Sequence, residues 1–148
     1  MGNLLIREGR AAEIMLVEDN RGDALLASRA FQRAEVENRL TVADTGEVAL
    51  AMLKREGPYA RMPRPDIILL DLNLPMMSGK DVLASIKGDE NLRSIPVIVL
   101  SSSDAETDIA DCYERHASAY IVKPISLEKF ADVVSTIEQF FFMLVVLP

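Results

Sequence analysis

Asp71 closes the apolar run Ile67-Ile68-Leu69-Leu70, and nothing in such a run offers its charge a partner. A carboxylate at the end of a buried strand is costly unless a cation or hydrogen-bond donors meet it. Three other apolar runs also end in groups with a chemical use. Glu18-Asp19 follow Ile14-Met15-Leu16-Val17, Ser101 follows Pro96-Val97-Ile98-Val99-Leu100, and Lys123 follows Ala119-Tyr120-Ile121-Val122. In an open parallel sheet the carboxyl ends of the strands share one edge, so these side chains are expected to converge in one crevice.

Three carboxylates there, Glu18, Asp19 and Asp71, repel one another, and a hard divalent cation removes the conflict. Mg²⁺ takes oxygen ligands, keeps several waters and uses one or two carboxylates, which suits direct ligation by Asp19 and Asp71 with Glu18 acting through water. No Cys or His cluster offers a zinc site. Lys123 adds a fixed positive charge and Ser101 a hydroxyl. A carboxylate held beside a cation, an ammonium and a hydroxyl is suited to an anion whose charge is spread over several oxygens. Phosphoryl transfer asks the protein mainly for positioning and charge neutralisation, and an Asp carboxylate can be the covalent acceptor. The residues therefore point to a Mg²⁺-dependent aspartyl-phosphate on Asp71.

The elements that must position these groups alternate between strand and helix, the pattern of βαβ units around a parallel sheet. Strands are expected at Glu13–Val17, Leu40–Ala43, Asp66–Leu70, Val97–Leu100 and Ala119–Val122; the second, with more alternation, suits a sheet edge. Helices are expected over about Gly22–Glu35, Glu47–Glu56, Lys80–Lys87 and Ala105–Arg115. The first should face inward through Leu25, Leu26, Ala30, Phe31 and Ala34. Ser126 can cap a fifth helix, whose Leu127, Phe130, Val134, Ile137 and Phe141 recur at helical spacing. Pro75 and Gly79 make 73–79 a loop, and 57–65 is a second loop rich in Gly, Pro and Arg.

With 148 residues the chain fits one domain, taken as 13–148 after an extension at 1–12. A formal charge of −7 with no Lys/Arg cluster argues against a nucleic-acid surface. The amino terminus lacks a signal-peptide pattern, and the apolar tail at about 140–148 is too short to span a bilayer. A single cysteine, Cys112, suits a reducing, cytoplasmic setting and reads as a buried free thiol.

The acidic pair Glu18-Asp19, Asp71, Pro75 and Gly79, Ser101 and Lys123-Pro124, with intervals of 30 and 52 residues from Asp71 to Ser101 and Lys123, resembles the receiver domain of two-component response regulators from Glu13 to the carboxyl terminus. Any one element is weak, and the set is highly specific. The loop Tyr59–Pro65 and the tail ending Leu147-Pro148 resemble more narrowly the small stand-alone regulators that serve bacterial phytochrome kinases. The resemblance implies a flavodoxin-like doubly wound (βα)5 domain with a five-stranded parallel sheet in the order 2-1-3-4-5. It implies a sensor histidine kinase as phosphoryl donor, a carbonyl of Asn73 as a further Mg²⁺ ligand, a cis Lys123-Pro124 bond, and a switch in which Ser101 and Tyr120 turn inward. The signal would leave through the face made by the fourth helix, fifth strand and fifth helix. Asn73 and Ser103 would flank the path of a hydrolytic water.

Blander readings stand beside these. Asp71 alone could cap a turn, and Tyr120 could be a half-buried strand aromatic. His116, without a partner, reads as a surface or turn residue. Met76 and Met77 fit an exposed loop that packs locally or contacts a kinase. Val133, Phe140, Met143 and Leu144 form a second apolar stripe, more than one domain covers, which favours a homodimer through the fifth helix and tail. No output domain or DNA-recognition helix follows, which points to a phosphoacceptor signalling domain rather than an enzyme. Two competitors remain. A phosphatase of the haloacid dehalogenase type wants a second acid where Asn73 stands, and a pseudo-receiver would have lost an acid or the lysine.

Overall fold

The computed structural model describes residues 11–123 and 126–139. Its elements run β1 Ala12–Val17, α1 Arg21–Gln32, β2 Asn38–Ala43, α2 Gly46–Leu53, β3 Ile67–Asp71, α3 Gly79–Gly88, β4 Val97–Ser101, α4 Glu106–Glu114, β5 Ala119–Val122 and α5 Leu127–Ile137. All pairings are parallel and the strand order is β2-β1-β3-β4-β5. The flavodoxin-like expectation holds, with β2 at an edge.

Burial explains the long apolar runs. β1, β3 and β4 are covered on both faces, so successive residues feed two different cores. Met15, Val17, Ile68, Leu70, Val97 and Val99 meet Ala49, Leu53, Val82, Leu83, Ile86 and Cys112 on one side. Ile14, Leu16, Ile67, Leu69, Ile98 and Leu100 meet Ala27, Ala30, Phe31, Phe130, Val134 and Ile137 on the other. Cys112 is indeed free and buried, and burial pushes its thiol further up.

Several local expectations are corrected. Leu25 is not on the inner face of α1: it is 52 % exposed, and Ala27 takes the buried position. The same helix stops at Gln32 rather than Glu35. The Arg33 and Ala34 N–H groups close its last turn onto Ala30 and Phe31, and the Asn38 side-chain amide also donates to the Phe31 carbonyl. The buried Glu138 carboxylate then accepts the Val36 N–H at 2.6 Å, pinning the α1–β2 connection to the end of α5. Helix α2 ends at Leu53, ahead of Arg55 at φ 56°, and Gly57–Tyr59 form one 3₁₀ turn inside the expected loop. Val133 is half-buried against the second core, so it leaves the proposed second stripe. Phe140, Met143 and Leu144, the rest of that stripe, lie outside the described residues, as do Phe141, Pro124 and the extension up to Arg10. Of the two loop methionines, Met77 follows the local-packing reading, half-buried against the first core, whereas Met76 is 93 % exposed. Ser126 caps α5 as expected, its hydroxyl accepting the Lys129 N–H. Exposed His116 sits at φ 68° just past α4, a turn residue.

Candidate functional site: an acidic pocket at the carboxyl ends of the strands

Each functional group is placed by the end of one strand. β3 terminates in Asp71, 4 % exposed, whose Oδ1 accepts the Asn73 N–H at 3.0 Å. β1 delivers Glu18, 3 % exposed, whose Oε2 accepts the Asn20 N–H at 3.2 Å. Asn20 in turn caps α1, so the chain that positions the acids also starts the helix beside them. Asp19 is exposed at the rim. Glu18, Asp19 and Asp71 each offer a carboxylate oxygen, all within 4.8 Å of one another.

Lys123, just past β5, closes the group. Its Nζ lies 2.6 Å from Glu18 Oε1, 2.7 Å from Asp23 Oδ2 and 3.1 Å from Asp71 Oδ2. The convergence expected from four separate strand ends is therefore met for Glu18, Asp71 and Lys123. Asp23 was missed by sequence reasoning. It sits in the first turn of α1, where an acid is explained by the helix dipole, and only the fold shows its second use.

One ammonium is shared by three acids with Asp19 close by, and the imbalance shows in their chemistry. Burial and the neighbouring Asp71 carboxyl push Glu18 up to about 7, against the opposing pull of Lys123 and the Asn20 N–H. Burial by itself pulls Lys123 down, but hydrogen bonds to Asp23, Glu18 and Asp71 outweigh it and hold the ammonium above its ordinary range. A cluster of hard oxygen donors with more negative charge than its own lysine can neutralise fits a divalent cation.

Ser101 ends β4 fully buried, but its Oγ accepts the Ser103 N–H at 3.0 Å, and among the described residues no hydrogen bond joins it to Asp71. Tyr120 is half-buried against the first core, its hydroxyl donating to the Ser103 carbonyl at 2.7 Å. Asn73 is exposed beside Asp71.

Lys123→Met is expected to lower stability by about 3 kcal/mol in chelator, because it strands buried carboxylates without a counter-charge. Millimolar Mg²⁺ should recover much of the loss. Urea midpoints with and without Mg²⁺ check this, and an equal loss in both would show that cation and ammonium do not share the pocket.

A doubly wound parallel sheet with an acidic pocket and a lysine at its carboxyl edge is the arrangement expected of the receiver class of signalling domains. The response regulator receiver domain model matches residues 14–135. Response regulator Rcp1 of Synechocystis is 39 % identical over 135 residues, which span 91 % of this chain and 92 % of that protein. The phosphorylated cyanobacterial phytochrome response regulator RcpA superposes with TM-score 0.84 at 43 % identity, covering 89 % of this chain and 94 % of that one. The Mn²⁺-bound form of Rcp1 superposes with TM-score 0.83 at 39 % identity, over 93 % and 99 % of the two chains. The chain belongs to the response regulator receiver domain family and is a two-component signalling protein.

Proposed function

We propose that Asp71 is the phosphoacceptor, taking its phosphoryl group from a histidine of a sensor kinase. The single observation that carries this reading is the bridge from Lys123 Nζ to Asp71, Glu18 and Asp23, all within 3.1 Å, at the mouth of an acidic pocket. Glu18, Asp19, Asp71 and the Asn73 carbonyl would hold Mg²⁺, which supplies charge neutralisation on the phosphoryl oxygens. A carboxylate oxygen of Asp71 attacks phosphorus as the phosphorus–nitrogen bond of the donor histidine breaks, and the bonding pair returns to the imidazole nitrogen. Lys123 then turns its charge from the free carboxylate to the phosphoryl oxygens, and the Ser101 hydroxyl follows. The chain catalyses only its own phosphorylation and dephosphorylation, works in the cytoplasm, and signals through the α4, β5 and α5 face with Tyr120 as the reporting aromatic.

The relatives support a narrower reading of the partner. RcpA is described as a phytochrome response regulator, and RPA3017, 29 % identical with TM-score 0.85, as acting in red-light signalling. A phytochrome-type histidine kinase is accordingly the donor we favour. The apolar run Phe140–Leu147 keeps a homodimer through α5 and the tail in the reading. Light scattering at micromolar concentration tests it, and a strict monomer ends it.

The phosphoacceptor reading is tested by incubating the chain with Mg²⁺ and a small phosphoramidate. Intact mass should rise by one phosphoryl group, and chelator should prevent it. Unchanged mass with Mg²⁺ present overturns the assignment. A second acid two residues beyond the nucleophile would have favoured a phosphatase; Asn73 stands there.

A further inference from the structure

Ser103 holds four hydrogen bonds at the start of the β4–α4 connection. Its N–H donates to Ser101 Oγ at 3.0 Å, and its carbonyl accepts the Tyr120 hydroxyl at 2.7 Å. Its own hydroxyl donates to Asp108 Oδ2 at 2.6 Å and accepts the Ala105 N–H at 3.2 Å. The other Asp108 oxygen takes Lys80 Nζ at 2.7 Å, and that ammonium also reaches Asp111 Oδ2 at 3.0 Å. A continuous polar chain therefore runs from Ser101, beside the acceptor, through Ser103 and Asp108 to Lys80 on the neighbouring helix α3.

Two features make this chain more than surface decoration. Lys80 lies in the first turn of α3, where a cation opposes the helix dipole, so its placement is explained by its partners on α4 rather than by its own helix. Ala105, the residue before α4, caps that helix with no side chain of its own, and the Ser103 hydroxyl stands in by accepting the Ala105 N–H. The start of α4, the Ser101 hydroxyl and the Tyr120 hydroxyl are thus all tied to one serine, whose side chain is held by an acid fixed from α3.

We propose that Lys80, acting through Asp108 and Ser103, is a positioning residue that holds Ser101 away from Asp71 and so sets how readily the acceptor is phosphorylated. The inference rests on Asp71 being that acceptor. Ser101 Oγ is held by the Ser103 amide and makes no hydrogen bond to Asp71 among the described residues, so a turn toward a phosphoryl group there gives up that contact. Whatever fixes Ser103 opposes that shift. Lys80 and Asp108 are partly exposed, so their pairing contributes little to the stability of the whole fold. A small bias is nonetheless enough to change the population of two loop arrangements, and a ligand that prefers one of them reads it directly.

The test uses the full chain, with Lys80→Gln and Asp108→Ala as separate variants, and beryllofluoride with Mg²⁺ as the phosphoryl mimic. Both variants should bind the mimic about three- to fivefold more tightly, and react with phosphoramidate faster by a similar factor. In the ligand-free variants the Ser103 amide resonance should move toward its position in the mimic-bound parent, a change that a merely structural role would not produce. Urea midpoints close to the parent's would show that both variants fold. Affinity and rate within a factor of two of the parent, or lower, overturn the proposal, as does a Ser103 resonance that stays put. A parent chain that takes up neither mimic nor phosphoryl group instead removes Asp71 as acceptor, and the role of Lys80 with it.

Discussion

Asp71→Asn is expected to take up no phosphoryl group from phosphoramidate or kinase, since a carboxamide cannot form the acyl phosphate while every other site residue stays in place. Its second effect has the opposite sign. In the parent chain, Lys123 is shared among Glu18, Asp23 and Asp71 with Asp19 close by, and Glu18 stands at about 7 because it is buried next to Asp71. A carboxyl group with a raised value favours the folded state at pH below its ordinary value of 4.5, and that advantage is lost as pH rises through about 7. Removing the Asp71 charge lowers the cost of ionising Glu18. The variant should therefore be more stable than the parent by about 1 kcal/mol at pH 8 in chelator, with the gain fading as pH falls toward 4.5. Excess Mg²⁺ should reverse the order, because the parent keeps the better cation site and gains stability from binding. Urea denaturation at pH 5 and pH 8, with and without Mg²⁺, checks all of this. A phosphorylated Asp71→Asn protein, or a variant less stable than the parent in chelator at pH 8, would contradict the account.

The strand ends were legible because the chemistry is local there. A polar residue closing an apolar run has few uses, so Glu18, Asp71, Ser101 and Lys123 could be placed on one edge before any coordinates. Periodicity read the helices less well. Leu25 looks like a core residue from spacing alone, but α1 is rotated so that Ala27 meets the sheet, and only packing against α5 decides between them. Asp23 was hidden for a related reason: its position in the first turn of a helix already explains an acid, so nothing in the sequence asks for a second partner. The 28-residue separation of Lys80 and Asp108 likewise carries no signal until α3 and α4 are adjacent. Long-range pairing of common charged residues is what a single sequence hides.

Gly79→Ala is expected to be the most damaging of the small substitutions, because this glycine lets the loop after Asp71 close on itself. Its N–H donates to the Leu72 carbonyl at 2.9 Å, bringing the start of α3 against the backbone of β3's last residue. A methyl group there would fall 2.5 Å from Leu72 Cα and collide with the Asp71 carbonyl oxygen. Neither is the end of a side chain that could swing aside, so either α3 or the Asp71 backbone must move. Overpacking of this kind costs about 1–3 kcal/mol, and more where backbone must shift. The displaced atoms are those that aim Asp71 at Lys123, so phosphoryl uptake should slow as stability falls. Gly88, at the far end of the same helix, has nothing within 4 Å of an added methyl. Gly88→Ala should be neutral or stabilising by about 0.5 kcal/mol, through lost freedom in the unfolded chain. Matched urea midpoints and phosphorylation rates for the two variants separate steric exclusion at Gly79 from a general intolerance of alanine in α3, and equal behaviour would remove the role assigned to Gly79.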